Sequence, residues 1–240
     1  MAGHSHAKNV MHRKNAQNAK KAKHFTKIAK IISVAISSAG ADPNLNPRLR
    51  DALRTARSYN IPKDNIERIF NKAKEKNNLE EIVYEGYFDG LAVLVETITD
   101  NRTRTFSEIR NIFSKNGGSL GESGSVAFMF DKKGFIELGF VEGAEHEAEL
   151  ENIILEILDF VDLENFEDNF IYTTIETFHK TLSDLEAVLE KNFKNIEVAN
   201  SGFAYFPNHT VSLNDHEAFE KLKSALEDND DVQEVWSNLE

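Results

Sequence analysis

Residues 91–131 read LAVLVETITDNRTRTFSEIRNIFSKNGGSLGESGSVAFMFD, and their pattern indicates the fold class. Leu91–Thr99 is an apolar run of strand length, Arg104–Lys115 places apolar residues at helical spacing, and apolar residues alternate in Ser125–Asp131. The glycines between the helix and the second strand favour a turn, with Gly117 suited to the helix end. The stretch therefore predicts a β-α-β unit.

A second unit of the same kind closes the chain. It consists of a predicted strand at Thr210–Leu213, a helix at Asp215–Glu227 and a strand at Val232–Trp236. Two β-α-β units in succession give the order of a ferredoxin-like domain. Residues 134–206 repeat this order, with elements at 134–138, 145–158, 160–163, 170–175, 183–191 and 196–206. The sequence thus predicts one ferredoxin-like α/β domain inserted in a loop of another.

The first 78 residues predict helices only. Residues 8–38, the stretch after the loop GADPNLNP, and a third stretch from near Pro62 each place apolar residues at helical spacing. We therefore expect an α+β multidomain protein that begins with an all-α helical domain. The predicted domains are a basic helical domain at 1–78, a ferredoxin-like domain at 79–132 plus 207–240, and an inserted ferredoxin-like domain at 133–206.

Charge is divided unequally between these parts. Residues 1–76 contain 17 lysines and arginines against 5 acidic residues, a net charge of +12, whereas residues 77–240 carry -24 and the whole chain -12. A basic segment joined to an acidic body is typical of a module that binds a polyanion. Charge alone leaves DNA, RNA and a membrane surface open as that polyanion.

Two basic strips make the helical domain a candidate binding site. Four lysines share one face of a continuous first helix: Lys20, Lys23, Lys27 and Lys30. Three arginines share a face of the second helix: Arg50, Arg54 and Arg57. A solvated surface is the ordinary alternative, but such faces mix charges of both signs, and the first thirty residues contain no acidic residue. We interpret both strips as nucleic-acid-binding, since guanidinium groups also suit phosphate.

Nothing in the sequence indicates a catalytic residue, a metal site or a cofactor. The absence of cysteine excludes disulfides, thiolate zinc sites and a cysteine nucleophile. The histidines His4, His6 and His12 do not have the spacing of zinc ligands. The aspartates Asp228, Asp230 and Asp231 do not have the spacing of a calcium-binding loop and predict only a polar turn. MAGHSHAKNV contains no apolar signal segment, and no apolar run is long enough to span a membrane. We expect a cytoplasmic, non-enzymatic protein with no membrane partner or evident small-molecule substrate, while a ligand-binding or protein-adaptor role of the α/β domains stays open.

Several segments resemble the YebC family, which includes YebC/PmpR-type proteins and the mitochondrial translational activator of cytochrome c oxidase I. They are MAGHS at 1–5, HRKNAQNAKKAKHFTKI at 12–28, DPNLNPRLRDAL at 42–53, IPKDNIERI at 61–69, YEG at 84–86, residues 99–134, and DDVQEVWSN at 230–238. The resemblance implies a helical domain followed by two α/β domains, one inserted in the other. It places nucleic-acid contacts at the N-terminus and around Arg48–Arg50. With the two basic strips, the predicted nucleic-acid-binding residues are Lys8, Arg13, Lys14, Lys20, Lys21, Lys23, Lys27, Lys30, Arg48, Arg50, Arg54 and Arg57.

The resemblance also implies a role in gene expression. Bacterial members are commonly described as probable DNA-binding transcriptional regulators of the cytoplasm. Other members act in translation at the ribosome, promoting synthesis of particular proteins or relieving stalls at proline-rich stretches. DNA and ribosomal RNA both fit the sequence as partners. A basic domain beside an acidic body slightly favours a ribosome-bound factor, because the basic domain can bind ribosomal RNA while the acidic body contacts basic ribosomal proteins.

Overall fold

The structure is a computed structural model that describes residues 24–73, 78–141, 157, 165–167, 169–213 and 215–240. The described residues divide into two compact units: those up to Ala127 and from Val211 onward form the first, and those within Phe128–Thr210 form the second. All-helical and α/β parts occur together, which confirms the predicted α+β multidomain class. The domain boundaries given above stay a prediction.

The described residues at the start of the chain form helices only, and those that follow form strands and helices. In chain order they are α1 (residues 24–39), α2 (Pro47–Ser58), α3 (Lys63–Ala73), β1 (Glu80–Phe88), β2 (Leu91–Thr99), α4 (Arg102–Lys115), β3 (Ser119–Leu120), β4 (Phe130–Phe140), β5 (Asn165–Glu167), β6 (Phe170–Thr173), α5 (Phe178–Asn192), β7 (Ile196–Pro207), α6 (His216–Glu227) and β8 (Val232–Ser237). The three predicted N-terminal helices are confirmed over their described residues, and residues 8–23 lie outside these.

A buried asparagine joins the first two helices. The side-chain oxygen of Asn46 accepts a hydrogen bond from the backbone N–H of Leu49 at 3.0 Å and so caps α2. The side-chain amide of Asn46 donates to the carbonyl oxygens of Ala35 and Gly40 at 2.7 and 2.8 Å. One side chain therefore closes the end of α1 and starts α2, which fixes the angle between the two basic helices.

The sheet of the first unit has the strand order β3-β1-β2-β8, and all neighbouring strands are antiparallel. Helices α4 and α6 pack against one face and enclose an apolar core that includes Phe113 and Phe219. Asp89 and Gly90 both have positive φ, 45° and 85°, and form the two-residue turn from β1 to β2.

The predicted strand Ser125–Asp131 is wrong. These residues instead contain a short 3-10 helix, Ala127–Met129, and β4 begins only at Phe130. The backbone N–H groups of Val126 and its successor donate to the carboxylate of Glu85, both at 2.7 Å. A side chain thus takes the hydrogen bonds that a neighbouring strand would have received.

The predicted strand Thr210–Leu213 is also wrong, because only Val211 pairs there, through a single bridge to Leu239. Its expected position in the ferredoxin-like order, beside β3 and β2, is occupied by β1. β1 was not predicted, since EEIVYEGYF combines three glutamates and a glycine that disfavour a strand locally. The sheet is therefore completed by a strand from the start of the α/β part.

The second unit carries a sheet of order β5-β6-β4-β7, again with antiparallel neighbours. This order is that of a β-α-β-β-α-β ferredoxin-like sheet. Helix α5 packs against it through Phe178, Leu182 and Leu185, and the helical residue Ile157 is buried in the same core. The rest of the predicted helix at 145–158 and the predicted strand at 160–163 lie outside the described residues.

Candidate nucleic-acid interface

The twelve predicted nucleic-acid-binding residues fall into three groups. Those outside the described residues are Lys8, Arg13, Lys14, Lys20, Lys21 and Lys23. Those with contacts to the α/β part of the first unit are Lys27, Lys30 and Arg48. Those of the α2 strip are Arg50, Arg54 and Arg57. The two predicted strips are therefore placed differently, and the α2 strip is the one that the structure describes in full.

The α2 strip presents two exposed arginines. Arg50 and Arg57 lie seven residues apart on α2, which puts them on one face two turns apart. Both are exposed, and neither is in an ion pair among the residues that the structure describes. Arg54 lies between them, with Nη1 3.4 Å from Asp51 Oδ1. Guanidinium groups on a common face can each donate two parallel hydrogen bonds to phosphate oxygens.

An aromatic pair lies directly after this strip. Tyr59 is 50% exposed and stacks on His24 of α1, with ring centroids 4.6 Å apart. Tyr59 follows Arg57 by two residues, which places the two side chains on different sides of the end of α2. An exposed aromatic ring can stack on an unpaired base. Tyr59 was not among the predicted residues, although an aromatic side chain within a basic segment was the available signal.

Lys30 makes its contacts within the fold. Its Nζ lies 2.5 Å from Asp231 Oδ1 and donates to the carbonyl oxygens of Ile98 and Asp230 at 3.1 and 2.8 Å. Both charged side chains are shielded, with 17% of Lys30 and 7% of Asp231 exposed. Three acceptors match the three N–H groups of the ammonium, so a phosphate would have to displace one of them. The nucleic-acid contact of Lys30 stays a prediction.

Asp231 also binds α4. Its Oδ2 accepts hydrogen bonds from Arg104 Nη2 at 2.7 Å and from Thr105 Oγ1 at 2.6 Å. Burial would raise the pKa of Asp231, but the hydrogen bonds from Arg104, Lys30 and Thr105 outweigh it and lower the pKa to about 2. The bond to Asp231, with one to Asp100, raises the pKa of Arg104. An aspartate predicted only to lie in a polar turn is thus a charged junction between α1, α4 and β8.

Lys27 and Arg48 make further contacts to the same α/β part. Lys27 Nζ donates to the carbonyl oxygen of Gln233 at 3.1 Å. The guanidinium of Arg48 forms a two-pronged pair with the carboxylate of Glu81, and the two side chains are 40% and 48% exposed. An exposed pair of this kind exchanges readily for a phosphate contact.

A polar cleft of about 790 Å³ opens beside the Asp231 junction. Its charged lining consists of three cations and five carboxylates: Lys30, Lys72, Arg104, Asp100, Glu108, Asp228, Asp230 and Asp231. The acidic excess repels a phosphate backbone. The candidate nucleic-acid surface is therefore the exposed face of the helical part and not this cleft.

The backbone of the glycine-rich loop after α4 is hydrogen-bonded to the side chain of Glu85. Its carboxylate accepts backbone hydrogen bonds from Gly124 at 2.6 Å and from Val126 and Ala127 at 2.7 Å. Burial would raise the pKa of Glu85, but these bonds together lower the pKa. Gly117, with φ of 82°, ends α4 as predicted. The loop is thus a packed turn with a fixed backbone.

Neither a metal site nor a membrane span was found in the parts of the chain that the structure describes. Within those ranges no three histidine, aspartate or glutamate side chains are placed to hold a metal ion. No helix there is long and apolar enough to cross a bilayer.

The chain joins a basic helical part to an acidic α/β body. Two family models match the chain: "TACO1/YebC protein N-terminal domain" over residues 5–76 and "TACO1/YebC second and third domain" over residues 79–239. Together they span nearly the whole sequence. The chain belongs to the TACO1/YebC family, which confirms the resemblance found in the sequence.

Relatives that match over the whole chain have names that refer to transcription. The chain is 42% identical over 248 residues to "Probable transcriptional regulatory protein YrbC" of Bacillus subtilis (strain 168), covering 99% of each chain. It is 42% identical over 245 residues to a "Probable transcriptional regulatory protein" of Lactobacillus helveticus (strain DPC 4571), covering 99% of this chain and 98% of that one. These names describe regulators and not enzymes.

A solved structure is similar in fold. The crystal structure of a conserved hypothetical protein Aq1575 from Aquifex aeolicus matches with a TM-score of 0.74 and 38% sequence identity. The match covers 92% of this chain and 91% of that chain. The likeness therefore includes both compact units.

Proposed function

We propose that this protein is a nucleic-acid-binding regulator of gene expression whose basic helical part holds the phosphate backbone. The observation that carries the proposal is the division of charge, +12 over residues 1–76 and -24 over residues 77–240. Nucleic acid repels the acidic body, so binding is oriented with the helical part first. DNA-binding control of transcription is the form that the relatives' names favour.

The exposed face of α2 supports a phosphate-binding role. Arg50 and Arg57 offer guanidinium groups without an ion pair among the described residues. No helix-turn-helix or zinc-finger signature that would specify base contacts is present in the sequence. Affinity is therefore mainly electrostatic and falls steeply with salt.

The charge reversal of the α2 strip tests the proposal. We expect the double variant Arg50→Glu, Arg57→Glu to bind a mixed-sequence duplex DNA or RNA at least about tenfold more weakly, because two phosphate contacts become repulsive. The matched control is Lys180→Glu, Lys191→Glu on the exposed face of α5, which makes the same change in net charge. Equal loss in both variants, in protein that stays folded, would overturn the proposed surface.

A second candidate is a translational activator bound to ribosomal RNA. The same division of charge favours it, because the basic part suits ribosomal RNA while the acidic body suits basic ribosomal proteins. Co-sedimentation with ribosomes, compared with a duplex-DNA gel shift at the same salt, distinguishes the two. Tighter binding to one promoter than to mixed-sequence DNA at the same salt, without ribosome association, would assign the protein to DNA.

A further inference from the structure

Helix α4 is the exception to the acidic character of the α/β body. It carries four cations and one acid: Arg102, Arg104, Arg110, Lys115 and Glu108. Residues 77–240 contain only 11 lysines and arginines in all, against 35 acidic residues. More than a third of the cations of this acidic region therefore lie on a single helix.

Three residues of α4 form an exposed stripe. Arg102, Phe106 and Arg110 follow one another at intervals of four, so they lie along the same face of the helix. Both arginines are exposed, and Phe106 is 42% exposed. The buried residues Ile109 and Phe113 lie three and seven positions after Phe106, so the stripe runs along the border of the buried face of α4 and Phe106 is its partly exposed edge.

The ring of Phe106 contacts a buried aromatic ring. Tyr84, which is buried, lies against it with ring centroids 6.2 Å apart at 50°. The hydroxyl of Tyr84 donates to the carbonyl oxygen of Arg102 at 3.3 Å, which ties β1 to the first turn of α4. The Phe106 ring thus contacts one buried ring, while 42% of the residue stays exposed.

The two arginines of the stripe differ from Arg104 in their pairing. Arg104 is bound by Asp100 and Asp231, at 2.9 and 2.7 Å. Arg102 and Arg110 are in no ion pair among the residues with described side chains. Cations that flank an exposed ring, one helical turn away on each side, match a nucleotide whose base covers the ring while its phosphates meet the cations.

We infer that Arg102, Phe106 and Arg110 form a second contact surface that binds unpaired nucleotides. An unpaired base offers a free face to Phe106, whereas the bases of a duplex are covered by their neighbours, so the surface selects single strands, loops and bulges. The inference rests on the proposed function and deepens it. The helical part supplies affinity for the backbone, and α4 adds a preference for single-stranded segments.

Fluorescence anisotropy with the full chain tests this surface, using a labelled mixed-sequence 20-nucleotide RNA and the blunt duplex of the same sequence. We expect Phe106→Leu to weaken binding to the single strand at least about fivefold and binding to the duplex less than about twofold. Phe106→Trp should retain single-strand binding, because it keeps an aromatic face. The control is Phe128→Leu, which changes a ring that is 74% exposed and is not flanked by cations on both sides, because position 124 is a glycine.

The outcomes separate this surface from the proposed function. Equal single-strand affinity of Phe106→Leu and the parent protein would overturn the inference, as would an equal loss in Phe128→Leu. If Arg50→Glu, Arg57→Glu still weakens binding at least about tenfold in that case, the proposed function stands without the α4 surface. Photocrosslinking of a 4-thiouridine RNA to the peptide that contains Phe106 is a readout independent of stability, and its absence while the RNA is bound would also contradict the inference.

Discussion

Lys30 Nζ and Asp231 Oδ1 lie 2.5 Å apart, although the two residues are separated by 201 positions in the chain. The pair joins the N-terminal helical part to the turn before the last strand. Because both side chains are mostly shielded, removal of one partner leaves the other without compensation for its lost hydration. The contact is therefore a junction of the fold as well as a feature of the basic helix.

The variant Asp231→Ala should be strongly destabilised. It leaves Lys30, Arg104 and Thr105 without their shared acceptor, and loss of one partner of a buried ionic group costs about 3–5 kcal/mol. Urea unfolding followed by the fluorescence of the single tryptophan, Trp236, measures the free energy of unfolding of this unit. The control Glu81→Ala removes the exposed pair with Arg48 and should cost less than about 1 kcal/mol. A cost below about 1 kcal/mol for Asp231→Ala as well would show that the junction is not stabilising.

The stability that Asp231 contributes should decrease at acid pH. Its pKa is about 2 in the folded protein against 3.8 for an unperturbed aspartate, so the folded state favours the charged form. The contribution is therefore complete above about pH 4 and is lost as pH falls towards 2. Between pH 7 and pH 3, the difference in unfolding free energy between the parent protein and Asp231→Asn should narrow by about 1 kcal/mol. A constant difference over this range would contradict the assigned pKa.

The variant Glu85→Gln should loosen the glycine-rich loop. The neutral amide offers one acceptor oxygen where the carboxylate serves three N–H groups, of Gly124, Val126 and Ala127. Unsatisfied buried donors cost about 1–3 kcal/mol. Hydrogen–deuterium exchange should show faster exchange in residues 121–127 of this variant and little change in Glu122→Gln, which alters an exposed side chain of the same loop. Unchanged exchange in Glu85→Gln would show that other contacts hold the loop.

The helices, the central strand β2 and the division of charge could be predicted from sequence, because each is encoded by residues close together in the chain. The strand β1 could not, since Glu85 is tolerated in a sheet only because a loop some forty residues later supplies three N–H groups to it. The same contact explains why Ser125–Asp131 alternates like a strand without forming one.

The positive charge of the candidate site could be predicted from the sequence, but the contacts and exposure of its side chains could be predicted only in part. Lys30 has the helical spacing of the other lysines, yet its acceptor lies at the other end of the chain, which no local pattern reveals. The exposure of Phe106 is likewise hidden in sequence, because an apolar residue on a helix usually faces the core.

The salt dependence of nucleic-acid binding tests the central claim most directly. With about six phosphates neutralised, a plot of log binding constant against log salt should have a slope of roughly -4 to -5 for the full chain. The variant Lys20→Glu, Lys21→Glu, Lys23→Glu should flatten that slope and bind at least about tenfold more weakly at the same salt. A slope near zero, or a folded variant that associates with DNA, RNA and ribosomes as the parent protein does, would contradict the account.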